Sequence, residues 1–182
     1  MAITPSEAID ARFGHLFDVL DTDDDKVATW DDYRRLVERY ISGYRLDPEE
    51  RKARALDSSY QALWQELLRR SDETGVRLER ERFVAAMRAV SEDRSRHNAV
   101  EGVAEAVFDL LDEDGDDRIS LEEFLTYADV LGAREEDARN RFAHVDTDGD
   151  EHISREEFVL SARQYLFGED IESPGGFVFG VV

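Results

Sequence analysis

Apolar residues in this chain recur three and four positions apart over long stretches, the spacing of one face of an α-helix. Ile9, Phe13, Leu16, Phe17 and Leu20 make the first such face. It follows Thr4-Pro5-Ser6-Glu7, in which Thr4 caps, Pro5 takes the first helical position and Glu7 reaches back. Trp30, Tyr33, Leu36, Val37 and Tyr40 make the second, with Gly43 as its predicted stop. Asp47-Pro48-Glu49-Glu50 predicts the start of a longer third helix by the same capping logic. Its face of Leu56, Tyr60, Leu63, Trp64, Leu67 and Leu68 runs to Arg70. Phe83, Met87 and Val90 form a fourth face, and the polar stretch Ser91 to Asn98 separates the two halves. Val100, Val103, Val107, Phe108 and Leu111 follow, then Leu121, Phe124, Leu125, Ala128 and Leu131 up to Gly132. A short helix is predicted from Glu135 to Val145, and a last one carries Phe158, Val159, Ala162, Tyr165 and Leu166, stopped by Gly168. The pattern predicts an all-α chain. The apolar tail, with Pro174-Gly175-Gly176 as a turn, predicts that Phe177, Val178 and Phe179 tuck into a groove.

The helices are joined in pairs by twelve-residue windows with a common arrangement of acids. In Asp146 to Glu157 the acids Asp146, Asp148, Asp150 and Glu157 fall at positions 1, 3, 5 and 12. That is the spacing of an EF-hand loop: short acids on a tight turn, a backbone carbonyl at position 7 and a longer acid at position 12 that can offer two oxygens. Ile153 at position 8 can bury its side chain and pair its backbone with a partner loop, and Ser154 with Glu157 makes a capping box. Asp112, Asp114, Asp116 and Glu123 repeat the arrangement, with Ile119 at position 8 and Ser120 as helix cap. Asp21, Asp23, Asp25 and Asp32 repeat it again, ending in the shorter acid. Ser71 to Arg82 is a worn copy. Leu78 and Phe83 keep the apolar spacing, but Ser71, Glu73, Gly75 and Arg82 stand where ligands belong. A cation at position 12 opposes metal binding, so this loop is expected to hold its partner loop in place. Four helix–loop–helix units predict two pairs, residues 1–92 and 93–182.

Charge sharpens the picture. Against 23 bases the chain has 44 acids, a formal net charge of −21, so nucleic acid is excluded as an expected partner and bound divalent cations would relieve self-repulsion. There is no cysteine, hence neither disulfide nor thiolate metal site. No signal-peptide pattern opens the chain and no window reaches the apolar length of a membrane span, so the expectation is a soluble, cytoplasmic monomer.

Three intact loops, a worn second one, a long third helix, an Asp closing the first loop and the tail Tyr165-Leu166-Phe167-Gly168 resemble the calerythrin and sarcoplasmic calcium-binding protein family. The resemblance covers nearly the whole chain. It implies an all-α compact globule in which the two pairs pack against each other, and Ca²⁺ (with Mg²⁺) at three sites, the acids above acting as ligands with the backbone carbonyls of Val27, Arg118 and His152. The chain departs from the motif at position 6, where glycine gives way to Lys26, Asp117 and Glu151. A positive φ there costs a residue bearing Cβ about 1–2 kcal/mol. The first loop, closed by Asp32, is the expected site for Mg²⁺, which suits six-coordination and a one-oxygen acid.

The expected function is a Ca²⁺ buffer or Ca²⁺-responsive protein. A carrier of an apolar small molecule is the alternative, since globular EF-hand proteins include luciferin-binding proteins and photoproteins. Trp30, Trp64, Phe13, Phe17, Tyr60 and His15 could line such a cavity, although apolar residues at helical spacing more commonly fill a core. A calmodulin-like groove is disfavoured by the presence of only two methionines. His15, His97, His144 and His152 are dispersed, with no nucleophile or base beside them, so no enzymatic activity is expected. Arg69, Arg70, Arg77, Arg80 and Arg82 are expected to offset nearby acids, and Arg94, Arg96 and His97 to lie in a solvated link.

Overall fold

Thr4 accepts from the Glu7 N–H, and the Glu7 carboxylate accepts from the Thr4 N–H at 2.8 Å, so the first helix starts where the sequence signals it. In the computed structural model this is α1, Pro5–Leu20; the structure describes residues 2, 4–71, 75–93, 98–167 and 174–179. There follow α2 (Trp30–Gly43), α3 (Arg51–Arg70), α4 (Arg80–Ser91), α5 (Ala99–Leu111), α6 (Leu121–Val130), α7 (Glu135–Val145) and α8 (Arg155–Phe167). A 3-10 helix, Pro174–Phe179, closes the described chain. Four three-residue strands stand in the loops: β1 (Val27–Thr29), β2 (Arg77–Glu79), β3 (Arg118–Ser120) and β4 (His152–Ser154). The class is all-α, as the periodicity predicts.

The strands set the pairing of the loops. β1 runs antiparallel to β2 with Ala28 opposite Leu78, and β3 antiparallel to β4 with Ile119 opposite Ile153. These four position-8 side chains are buried. The worn loop thus supplies a strand to its neighbour. Its Glu73 and the solvated link around Arg94, Arg96 and His97 lie outside the described residues, as does Gly168.

The predicted apolar faces meet in one core. Phe13, Phe17, Tyr40, Tyr60, Phe83, Phe108 and Tyr127 are among the largest fully buried side chains. Each such group contributes about 1.5–3 kcal/mol relative to exposure. α1 packs on α4 and α6 on α7, while α3 lies along α5 and joins the two halves. Phe177 and Val178 of the tail are buried, and the Phe177 ring stacks on Phe124 at 4.9 Å. The side chain of Phe179 lies outside the described residues.

One expectation is corrected. Asp47-Pro48-Glu49-Glu50 does not start a helix. The Asp47 carboxylate accepts from Glu49 N–H and the Glu50 carboxylate from Asp47 N–H, a self-contained turn, and α3 begins at Arg51. Local side-chain bonds here compete with the helix they mimic. Gly43 does end α2, but without a positive φ; the left-handed residue is Arg45, at 53°. A Cβ on Gly43 would stand 2.6 Å from Val130 Cγ1, so the glycine permits close approach of α2 to α6. Gly132, at φ 75°, is the left-handed stop the sequence predicts.

Candidate metal centre

Each intact loop is built on a ladder of side chain to backbone bonds. The position-1 acid accepts from the N–H at position 6: Asp21 from Lys26 at 3.1 Å, Asp112 from Asp117 at 3.0 Å, Asp146 from Glu151 at 3.0 Å. The position-5 acid accepts from position 7: Asp25 from Val27 at 3.1 Å, Asp116 from Arg118 at 3.0 Å, Asp150 from His152 at 2.9 Å. Asp23, Asp114 and Asp148 accept from the position-5 N–H in the same way. The position-1 bond needs a sharp turn at position 6. Lys26, Asp117 and Glu151 accordingly have φ of 66°, 62° and 68°. The strain expected from the missing glycines is present in all three loops.

A second left-handed residue stands at position 4: Asp24, Gly115 and Gly149, with φ of 55°, 72° and 71°. Sequence reasoning overlooked this position, although the two glycines mark it.

The acids converge. Oxygens of Asp21, Asp23 and Asp25, of Asp112, Asp114 and Glu123, and of Asp146, Asp148 and Glu157 lie within 4.8 Å of one another in three groups among the described residues. Hard carboxylate oxygens at this spacing fit a divalent cation such as Ca²⁺ or Mg²⁺. The position-5 acids Asp116 and Asp150 stand outside these groups, and Val27, Arg118 and His152 each begin a strand. His152 is half-buried, its Nδ1 3.2 Å from the Asp150 carbonyl oxygen. Arg82 is exposed and its loop contributes no such group among the described residues.

Position 12 divides the loops. Glu123 Oε2 accepts from Ser120 N–H at 2.8 Å, while its Oε1 reaches the loop start and accepts from Glu113 N–H at 3.0 Å. Glu157 does the same with Ser154 at 2.8 Å and Thr147 at 3.1 Å. Asp32 is too short for both. Its Oδ2 accepts from Thr29 N–H at 2.7 Å, its Oδ1 pairs with Arg35, and it stands outside the first loop's group.

The charges are held under tension. Burial pushes the carboxyls of Asp21, Asp32 and Asp112 above their ordinary range. Asp148 is raised too: the Asp150 N–H lowers it, but burial and the Asp146, Asp150 and Glu157 carboxylates outweigh that bond. Glu157 is lowered, because the Ser154 N–H and the Thr147 hydroxyl outweigh burial. A bound cation would favour the charged form and so offset both the burial and the repulsion that raise the others.

The third and fourth loops are braced by Arg155, at position 10 of the fourth. Its guanidinium bonds Asp117 at 3.0 Å, Asp109 at 2.7 Å and Glu105 at 2.5 Å, and lies 4.3 Å over the Phe108 ring. The expected offsetting of acids by arginines is seen at Arg80 with Asp18 and at Arg69 and Arg70 with Glu66. His15 and His144 are exposed, so His15 lines no interior cavity. No helix of the described residues is long and apolar enough to cross a membrane.

No protein-family model matches the chain, and no curated protein matches it. Solved structures do. Calcium-loaded apo-aequorin from Aequorea victoria aligns with a TM-score of 0.76 at 20% identity, over 90% of this chain and 92% of that one. A Streptomyces coelicolor calcium-binding protein, described in terms of prokaryotic calcium-mediated regulation, aligns with a TM-score of 0.73 at 23% identity, over 89% and 99%. The photoprotein clytin aligns with a TM-score of 0.74 at 20% identity, over 92% and 91%. At these identities the likeness establishes the fold alone, a compact all-α globule of the EF-hand kind.

Proposed function

We propose that this chain is a calcium-binding protein with three sites, acting as a Ca²⁺ buffer or a Ca²⁺-responsive regulator. The observation that carries the reading is the convergence of three carboxylate groups on three strained loops of one architecture. The ligands are Asp21, Asp23, Asp25 and Asp32; Asp112, Asp114, Asp116 and Glu123; and Asp146, Asp148, Asp150 and Glu157. The carbonyls of Val27, Arg118 and His152 complete the sets. The pattern of one lost loop out of four supports kinship with the calerythrin and sarcoplasmic calcium-binding proteins. The chain divides into two EF-hand pairs, residues 1–92 and 93–182, and the protein works in the cytoplasm as a monomer without catalytic activity.

The first loop takes Mg²⁺ in preference to the others, because Asp32 offers one oxygen at most. Calorimetric titration with Ca²⁺, with and without millimolar Mg²⁺, tests both statements. Three Ca²⁺ bind per chain, and Mg²⁺ weakens one of them selectively. A metal on the Ser71–Arg82 loop, or fewer than three ions at saturation, contradicts the reading.

The fold neighbours include photoproteins, which keeps a small-molecule carrier in view. In this chain the aromatic residues pack on one another: Phe17 on Phe83 at 5.6 Å, Tyr33 on Tyr60 at 5.7 Å and on Trp64 at 5.9 Å. Such mutual packing supports the core-filling role and favours the buffer or regulator.

A further inference from the structure

Arg35 lies one turn into α2, three residues after Asp32. Its guanidinium pairs with Asp32 Oδ1 and stands 3.5 Å from Asp23 Oδ2. It therefore bridges positions 12 and 3 of the first loop. The Asp32 side chain is 2% exposed, and its second oxygen is taken by the Thr29 N–H. Both oxygens of the closing acid are thus held by protein donors, and one oxygen of a converging acid faces a fixed positive charge.

The other loops show the contrast. There the equivalent oxygen, Glu123 Oε1 or Glu157 Oε1, turns to the loop start, and the acid belongs to its loop's converging group. The residues in the place of Arg35 are Thr126, whose hydroxyl donates to the Glu122 carbonyl, and Leu160, which is exposed. Neither carries charge. Among the described residues a guanidinium pairs with a closing acid in the first loop only; in the third loop Arg118 stands 3.5 Å from Asp116 Oδ2, not from Glu123.

We propose that Arg35 is a tethered competitor for the cation of the first loop, which an ion must displace from Asp32 and Asp23 in order to bind. This rests on the reading of the first loop as a metal site. A guanidinium and a divalent cation seek the same carboxylate oxygens, and a covalently attached competitor acts at a fixed effective concentration. The first loop is thereby set to a weaker affinity than its neighbours without loss of its acids. It responds only after the third and fourth loops have filled.

The test is Arg35→Gln in a Trp64→Phe background, with the emission of Trp30, inside the first loop, followed during Ca²⁺ titration. The affinity of the first loop should rise by about fivefold, the range expected for release of a half-exposed ion pair. The third and fourth loops, read by calorimetry, should be unchanged. In chelator the same substitution should lower the thermal midpoint slightly, since it removes a native ion pair. Stability without metal and affinity for metal then move in opposite directions, which a purely structural arginine would not produce. Arg35→Lys, a point charge unable to bridge two carboxylates, should give an intermediate affinity. Unchanged or weakened binding at a first loop that does fill overturns the competitor role alone. If Trp30 is silent and only two ions bind in both proteins, the first-loop site itself is refuted, and the competitor with it.

Discussion

Tyr40 on α2 and Tyr127 on α6 hold their hydroxyls 3.2 Å apart in the core, with rings stacked at 5.7 Å. The Tyr127 hydroxyl also lies 2.7 Å from the Phe177 carbonyl oxygen. A carbonyl only accepts, so Tyr127 spends its one proton there and Tyr40 donates to Tyr127. The chain of bonds ties the first half, the second half and the tail together. Burial pushes both phenols far from ionisation at neutral pH.

That direction gives the two tyrosines unequal value. Tyr127→Phe leaves both the Tyr40 hydroxyl and the Phe177 carbonyl without this partner, at a cost of about 1–3 kcal/mol. Tyr40→Phe leaves the Phe177 bond intact and should cost only about 0.5–1.5 kcal/mol. Chemical denaturation of both variants in saturating Ca²⁺ checks the order. A larger loss for Tyr40→Phe would mean that the donor direction is reversed.

Metal and fold should be linked. Loading the three proposed sites would bring about six positive charges among clustered acids, in a chain of net charge −21. Stability rises by about 2.7 kcal/mol per site at a hundredfold excess of free ion over Kd. Removal of divalent ions should leave a helical but looser state. Calorimetric melts in chelator and in Ca²⁺ that overlay would contradict this.

Strain at position 6 can be relieved where the side chain has no other task. Glu151 is exposed at φ 68°, so Glu151→Gly should strengthen Ca²⁺ binding at the fourth loop by about fivefold. Asp117→Gly should help less, because the Asp117 carboxylate also bonds Arg155 at 3.0 Å. Site-resolved titration by NMR compares the two. Equal gains would show that the Arg155 contact carries no weight.

Glu66 supplies a pH signature away from the loops. Arg69 and then Arg70, at 2.5 and 2.8 Å, pull its carboxyl down to about 2 from an ordinary value of 4.5. A lowered acid stabilises the fold above its unfolded value and loses that contribution as pH falls towards 2. Arg69 is largely exposed, so screening limits the effect to about 0.5–1 kcal/mol. Glu66→Gln should therefore be less stable than the parent at pH 7, and the gap should close between pH 4.5 and pH 2. Melts in chelator across that range would show it; a gap that persists at pH 2 would assign the loss to packing.

The loops and most helices were legible in the sequence because their causes are local. The ligand ladder of Asp146 to Glu157 spans twelve residues, and the capping box of Thr4 and Glu7 spans four. Composition and spacing suffice for contacts so short. The one mistaken helix start, at Asp47, was a local signal answered by a different local structure. What the tertiary structure alone decided lies between segments far apart in the chain. Periodicity placed Tyr40 on an apolar face and the apolar tail marked Phe177, but Tyr127 went unnoticed, and neither signal could link the three across 87 and 50 residues. Gly43 read as a stop, yet its lack of a side chain serves Val130 on α6. Arg155 read as one position of a loop, yet it gathers Glu105, Asp109 and Asp117 from the loop's partner unit. A repeat pattern specifies which surface each unit buries. Which atoms meet there depends on the angle at which the units pack, and that angle is a property of all of them together.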